Sequence, residues 1–477
     1  WNFGNTGKAV YDGNGQIVKD LTGQEVKDTG KPYYGGMIFR CDLDGSNFEV
    51  LAHNFRNNYE VTVDSFGRMW QSDNDDDGNK GVRINYILEY GNYGYRDELT
   101  GAGWRQERTG MAAEIPLRHW HLNDPGVVPN LIQTGAGSPT GITIYEGNLL
   151  PKRLHNQVIH CDAGPNIVRA YPVERSGAGF TATIDDVVEG IDKWFRPADV
   201  CVAPDGSIFI SDWYDPGVGG HNMQDLERGR LFRVAPPGAK YMVKPVDTTT
   251  IPGAIDALKS PNLSTRYLAW TALHSQGSSA ETALTSLYND GTPQIQARAL
   301  WLLSKIEGKA SKYITLAASS ANPEIRAMSV RMARQSNVSI TAHLTSLKND
   351  PSPQVLREVA IALRFDDSDT ANSLWAQLAS RHDGKDRWFL EALGIGADLH
   401  WEGRFDAWLK LVGDEWNTAG GRDIIWRSRS KQAPALLAKI LLDEDTKESE
   451  QPRYLRAFDY HQGPEKDAAL ESILLGM

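Results

Sequence analysis

Up to about Pro237, apolar residues come in short alternating runs cut by turn pairs such as Asp44-Gly45, Phe66-Gly67 and Asp205-Gly206. Period-two alternation bounded by Gly and Asp is the pattern of short strands joined by tight turns. From Ile251 onward glycine becomes scarce, and Ala, Leu and Arg recur at helical spacing. The change falls at Ala235-Pro236-Pro237-Gly238, followed by the polar stretch Asp247-Thr248-Thr249-Thr250. The pattern predicts an all-β unit over 1–237, a linker over 238–250 and an all-α unit over 251–477.

Each unit repeats internally. Residues 59–73 lie over 198–212 without a gap: apolar positions match, Gly67 meets Gly206, and both copies end in Ser-Asp, at Ser72-Asp73 and Ser211-Asp212. A weaker copy runs from Gly141 to Tyr145 and from Val158 to Asp162, and Trp1 to Asn5 resembles the tail of a fourth. Strand, Gly turn and strand, repeated, is the inner hairpin of a propeller blade. In the second unit Pro261, Pro293, Pro323 and Pro353 recur at intervals of 32, 30 and 30 residues, each opening a helix that carries Arg266, Arg298, Arg326 or Arg357 in its first turns. Pro suits a helical first turn, and paired helices of this period form a HEAT-like solenoid. The expected architecture is therefore multidomain: a β-propeller, then an all-α HEAT-like solenoid. The chain starts in what reads as mid-strand, without Met or signal peptide, so N-terminal blades are expected to be missing or partial.

Charge and cysteine usage narrow the function. The 477 residues carry a net charge of −11, which opposes binding to phosphate backbones. No apolar run is long enough to span a membrane. The three cysteines, Cys41, Cys161 and Cys201, form neither a CxxC nor a haem-attachment motif, so covalent haem is not expected in this chain. GxGxxG, P-loop and GxSxG patterns are also lacking, which removes support for Rossmann hydride transfer and nucleotide hydrolysis.

Four constellations carry candidate chemistry. Residues just ahead of the inner strands would ring the mouth of a propeller channel: Arg56-Asn57-Asn58, Ser138-Pro139-Thr140 and Phe195-Arg196-Pro197. Arg56, Asn57 and Arg196 converging there would suit an acidic ligand, because guanidinium forks bind carboxylates. Alternatively, Arg56 and Arg196 pair with Glu60 and Asp199 and tie blades together. The loop Asp73-Asn74-Asp75-Asp76-Asp77-Gly78 offers oxygens for Ca²⁺ through Asp73, Asn74, Asp75 and Asp77, or is a solvated acidic loop. In His119-Trp120-His121-Leu122-Asn123-Asp124, a strand would turn both histidines to one face, with His121 as a base and Asp124 orienting it, unless the pair merely lies at the surface beside a turn. Asp212-Trp213-Tyr214, with His221 beyond, combines carboxylate, aromatics and imidazole as sugar or polyol sites do; the alternative is a glycine-rich turn. Asp162 holds in its copy the place of Asp73 and Asp212, so part of this pattern reads as blade-corner hydrogen bonding.

Residues 33–234 resemble the propeller of planctomycete and verrucomicrobial "membrane-bound dehydrogenase" proteins. The resemblance is carried by Phe55-Arg56-Asn57-Asn58-Tyr59-Glu60, Gln71 to Gly78, Tyr90-Gly91-Asn92-Tyr93-Gly94-Tyr95, Trp194 to Val200 and Asp212 to Gly217. Such proteins join a propeller to HEAT repeats and often to a cytochrome domain. More distantly, the propeller is similar to soluble quinoprotein glucose and aldose sugar dehydrogenases. That similarity implies six blades, pyrroloquinoline quinone and a Ca²⁺ loop near Asn74-Asp75, with Arg56-Asn57 and Asn92-Tyr93-Gly94 matching family motifs. The family's Arg-x-Arg-Asp-Val is half kept as Arg196-Pro197-Ala198-Asp199-Val200, its catalytic His would precede Trp1, and the Asp supporting that His aligns with Asn5.

The resemblance implies a periplasmic or secreted oxidoreductase acting on a sugar or polyol and passing electrons to a cytochrome. Two rival readings remain open: a non-redox scaffold that binds carbohydrate, or a protein docked on the solenoid, and a Ca²⁺-dependent polysaccharide hydrolase or lyase using His121 and the Asp212 loop.

Overall fold

The computed structural model describes residues 9–30, 32–75, 80–215, 227–336 and 338–476. Among the described residues, sixteen strands fill its first half. They are β1 (Gly36–Arg40), β2 (Glu49–Phe55), β3 (Asn58–Val63), β4 (Met69–Asp73), β5 (Val82–Tyr86), β6 (Gly91–Asn92), β7 (Ile132–Gly135) and β8 (Pro139–Ile144). Then come β9 (Val158–Asp162), β10 (Ile167–Tyr171), β11 (Val173–Ser176), β12 (Gly179–Ala182), β13 (Asp185–Glu189), β14 (Pro197–Val202), β15 (Ile208–Asp212) and β16 (Arg230–Val234).

The strands form four sheets, in the orders β1-β2-β6, β3-β4-β5-β7, β8-β9-β10-β13 and β14-β15-β16, with β11-β12 as a separate hairpin. The repeated sequence copies are the first two strands of the second, third and fourth sheets. In each, the first strand starts with a register shift: at Asn58/Val61, Pro139/Ile142 and Pro197/Asp199. These three strands lie side by side, β3 against β8 and β8 against β14. Among the described residues the row of sheets does not close.

Fifteen α-helices follow among the described residues, the first at Ile251–Leu258. Pro293, Pro323 and Pro353 occupy the first helical position of their helices. Pro261 lies ahead of its helix, Leu263–Gln276, which Asn262 caps by accepting from Thr265 N. No helix of the described residues is long and apolar enough to cross a membrane.

The two halves share one core. Trp70, Tyr86 and Phe180 of the sheets pack with Trp388, Phe389 and Leu356 of the helices. The β11-β12 turn enters the helical half, where Ala178 N donates to Asp386 at 2.6 Å and its carbonyl accepts from Arg357. Arg298 and Arg266 both reach Glu146. Arg326, by contrast, pairs with Asp350 inside the helical half, and Arg331 takes the docking role there by donating to Phe66 O at 3.0 Å. Buried guanidinium groups with several donors satisfy backbone carbonyls at sheet turns that no strand partner reaches.

Candidate functional site

The strand-start end of the sheets is built by one clasp used three times. The aspartate closing each second strand accepts a backbone N–H just ahead of the first strand. Asn57 N donates to Asp73 at 2.7 Å, Ser138 N to Asp162 at 2.6 Å and Arg196 N to Asp212 at 2.7 Å. This brings Arg56-Asn57, Ser138 and Arg196 to one end of three neighbouring strands. Thr140 Oγ1 donates across to Pro197 O at 2.7 Å and links two of the sheets there.

An arginine from the third strand of each sheet meets the same carboxylate. Arg83 Nη2 lies 2.7 Å from Asp73, Arg230 binds Asp212, and Arg169 stops at 3.6 Å from Asp162. With its arginine held back and one oxygen without a hydrogen bond among the described residues, Asp162 has its pKa pushed up to about 6, mainly by burial. The cross-strand arginines were legible only as Arg83, Arg169 and Arg230 following each aspartate, and sequence reasoning missed them.

Asp73 is thus spent on Arg83 and on the N–H groups of Arg56 and Asn57, and is better described as a corner clasp than as a cation ligand. Asn74 differs. Its carbonyl accepts from Arg56 Nη1 at 3.3 Å, and its side-chain oxygen is buried with no partner among the described residues. Asp75 accepts from Gly81 N at 2.7 Å and stands 3.5 Å from His119 Nε2, both side chains fully enclosed. A side chain on Gly81 would come within 2.7 Å of that carboxylate, so the close approach requires glycine. Asp77 and His221 lie outside the described residues, as does Trp1 to Asn5.

Arg56 is half-buried, 6.0 Å over the Tyr95 ring. Arg196 is held by three carbonyls, Asp215 O at 3.0 Å, Ala163 O at 2.8 Å and Gly164 O at 3.1 Å. Glu60 accepts from Ile142 N at 2.8 Å, so the expected Glu60 pairing with Arg56 is replaced by a backbone contact between sheets. Trp213 is 53% exposed, whereas Tyr214 is stacked on Trp194 with ring centroids 5.2 Å apart.

The two histidines do not share a strand face. His119 ends a short helix, Ile115–His119, and His121 sits in a turn with φ of 51°. His121 Nδ1 lies 2.7 Å from Gly94 O, which assigns the proton to Nδ1 and leaves the Nε2 lone pair buried without a partner. Burial, with Arg108 nearby, lowers its pKa to about 4, so the ring is neutral near pH 7. Asp97 and Asp124 complete a group with metal-ligand spacing, all three residues buried. Arg456 bridges Asp97 and Asp124, and Arg108 Nε reaches Asp124 at 3.2 Å. Arg456, which also meets Asp459 at 2.8 Å, and Arg108 bring positive charge to these carboxylates, so an arginine already fills the cationic place.

The donor set around Asn74 fits a hard cation, which takes oxygen ligands and would complete its orphaned oxygen. The groups expected to grip quinone carboxylates fit less well, because Arg196 is occupied by carbonyls and Ala198 stands where the resemblance has a second arginine.

Against known proteins, residues 6–236 match the model of a family described as "Domain of unknown function (DUF7133)". No curated protein matches. Among solved structures, an oxidoreductase (glucose dehydrogenase) of Thermus thermophilus is 17% identical, with a TM-score of 0.28 over 40% of this chain and 48% of that one. The PQQ-bound aldose sugar dehydrogenase of Streptomyces coelicolor is 19% identical, with a TM-score of 0.26 over 40% and 46%. A further glucose dehydrogenase is 18% identical, with a TM-score of 0.28 over 42% and 49%. The chain spans about half the length of the solved proteins it matches.

Proposed function

We propose that this chain is part of a quinoprotein-like oxidoreductase acting on a sugar or polyol. In this reading the sheets are part of a six-bladed propeller over 1–237, joined by 238–250 to a HEAT-like solenoid over 251–477. The observation that carries it is the buried side-chain oxygen of Asn74, without a partner among the described residues, set beside Arg56 and Asn57 at the strand-start end. That is the loop at which the sequence resemblance expects Ca²⁺.

A calcium ion held by Asn74 and Asp75 would act as a Lewis acid toward an oxygen of the bound reactant. Arg56, which donates to Asn74 O, ties the guanidinium side of the site to this loop, and the exposed Trp213 offers a ring face to a sugar. His121 is the proposed proton acceptor, with its lone pair on Nε2 because Nδ1 donates to Gly94 O. A periplasmic or secreted location and a cytochrome electron acceptor belong to the same reading.

A second reading, a non-redox propeller that binds carbohydrate or protein, is favoured by the three carbonyls that occupy Arg196. Elemental analysis joined to a near-ultraviolet spectrum separates them. Bound calcium with a quinone band, and heat on titrating pyrroloquinoline quinone with Ca²⁺, supports the oxidoreductase. Calcium without quinone binding removes the redox step and leaves the binding reading. Absence of both overturns the assignment of the Asn74 loop.

A further inference from the structure

A cavity lies on the seam between the two halves. Its volume is about 680 Å³, inside the range of about 300–1,000 Å³ typical of ligand pockets, which favour such junctions. One wall comes from the sheets and the turns ahead of them, and the other from the helical half.

The arginines in these walls are already paired, and the carboxylates accept from fixed donors. Tyr33 donates to Asp20 at 2.5 Å, and Tyr90 donates to Glu49. Asp398 is met by Arg364 at 3.3 Å and Arg427 at 3.2 Å. Glu98 faces Arg429 at 3.7 Å. His53, also in the wall, is neutral, because burial and then Arg364 lower its pKa to about 4. An anionic ligand finds no uncompensated arginine among the described residues of the wall. A neutral ligand rich in hydroxyls finds fixed donors and acceptors of both kinds.

The solvent side is apolar. Phe365 is 50% exposed and stands edge-on to Tyr90, with centroids 5.2 Å apart. Leu21, Leu99 and Leu399 line the same cavity and are also exposed. Clustered exposed apolar groups on a polar-floored cleft mark a ligand groove, and an open ring face beside polar groups suits the C–H face of a sugar ring.

We propose that the seam cavity binds a neutral saccharide, with a sugar ring on Phe365 and its hydroxyls on the paired polar groups of the wall. This does not rest on the oxidoreductase reading, because none of its residues belongs to the strand-start end.

The test is calorimetry of the full chain with glucose, maltose and cellobiose, and in parallel with glucuronate. Saturable binding of a neutral saccharide near about 1 mM, weakened about tenfold by Phe365→Ala and largely kept by Phe365→Trp, is expected. Phe365 is half-exposed, so neither substitution removes core packing. The proposal is overturned if no neutral saccharide binds, if Phe365→Ala leaves binding unchanged, or if glucuronate binds more tightly. Loss of binding in Arg56→Ala but not in Phe365→Ala would move the sugar to the strand-start end and equally overturn it.

Discussion

Glu146 and Arg298 lie 3.1 Å apart although 152 residues separate them, and their side chains are only 2% and 7% exposed. Ser65 joins the same contact, donating to Glu146 from both its backbone and its hydroxyl, and Arg298 Nε donates to that hydroxyl at 2.9 Å. The cluster bolts the second and third sheets to the first helices.

Burial alone would raise the Glu146 pKa, but Arg266 and Arg298 hold it below the usual carboxylate range. A depressed folded pKa means that its contribution is complete above the ordinary carboxylate pKa and is lost as pH falls through the folded one. Glu146→Ala, which strands two buried arginines, should cost about 3–5 kcal/mol at pH 7. Urea denaturation of parent and variant checks this, and the gap between them should narrow in acid.

Asp162 differs from its two structural equivalents in its arginine, which stops 3.6 Å away. Its folded pKa of about 6 lies above its ordinary 3.8, so its contribution is full below about pH 4 and is lost as pH rises through 6. Asp162→Asn should therefore remove that decline and be no less stable than the parent at pH 8. Asp73→Asn, which breaks a fully buried pair with Arg83, should lose about 3–5 kcal/mol. Thermal melts across pH distinguish the two.

Four histidines are kept neutral by burial, with pKa values of about 4 for His53, His121 and His461 and about 3 for His160. The unfolded chain binds protons there from pH 6.5 downward and the folded chain does not. Stability should fall between pH 6.5 and 4 by about 1.4 kcal/mol per pH unit for each histidine. His160→Gln should flatten that slope by about one proton's worth, read from unfolding free energy against pH.

Arg456, on the helix Gln451–Phe458, closes the Asp97, His121 and Asp124 group from 332 residues away from Asp124. Arg456→Ala should destabilise the chain by about 3–5 kcal/mol through two carboxylates left underpaired. The group then has the spacing for a divalent cation, so Zn²⁺ should raise the melting temperature of the variant and leave the parent unchanged. Equal responses of the two proteins would contradict the role given to Arg456.

The sequence by itself determined the local grammar. Period-two runs with Gly turns marked the repeats at 59–73, 141–162 and 198–212, and Pro marked helix starts at 293, 323 and 353, while Pro261 fell two residues ahead of its helix, because alternation and capping act over a few residues. It also marked Asp73, Asp162 and Asp212 as equivalent, and their equivalence is a shared clasp on the strand-start backbone. The tertiary structure alone decided which partner each charge receives. Arg196 meets carbonyls, Arg456 reaches Asp124 beside the buried His121, and the seam cavity is assembled from Asp20, Tyr90, Arg364 and Arg429. Those contacts join residues up to hundreds of positions apart, and they follow from how two units dock, which no local periodicity encodes.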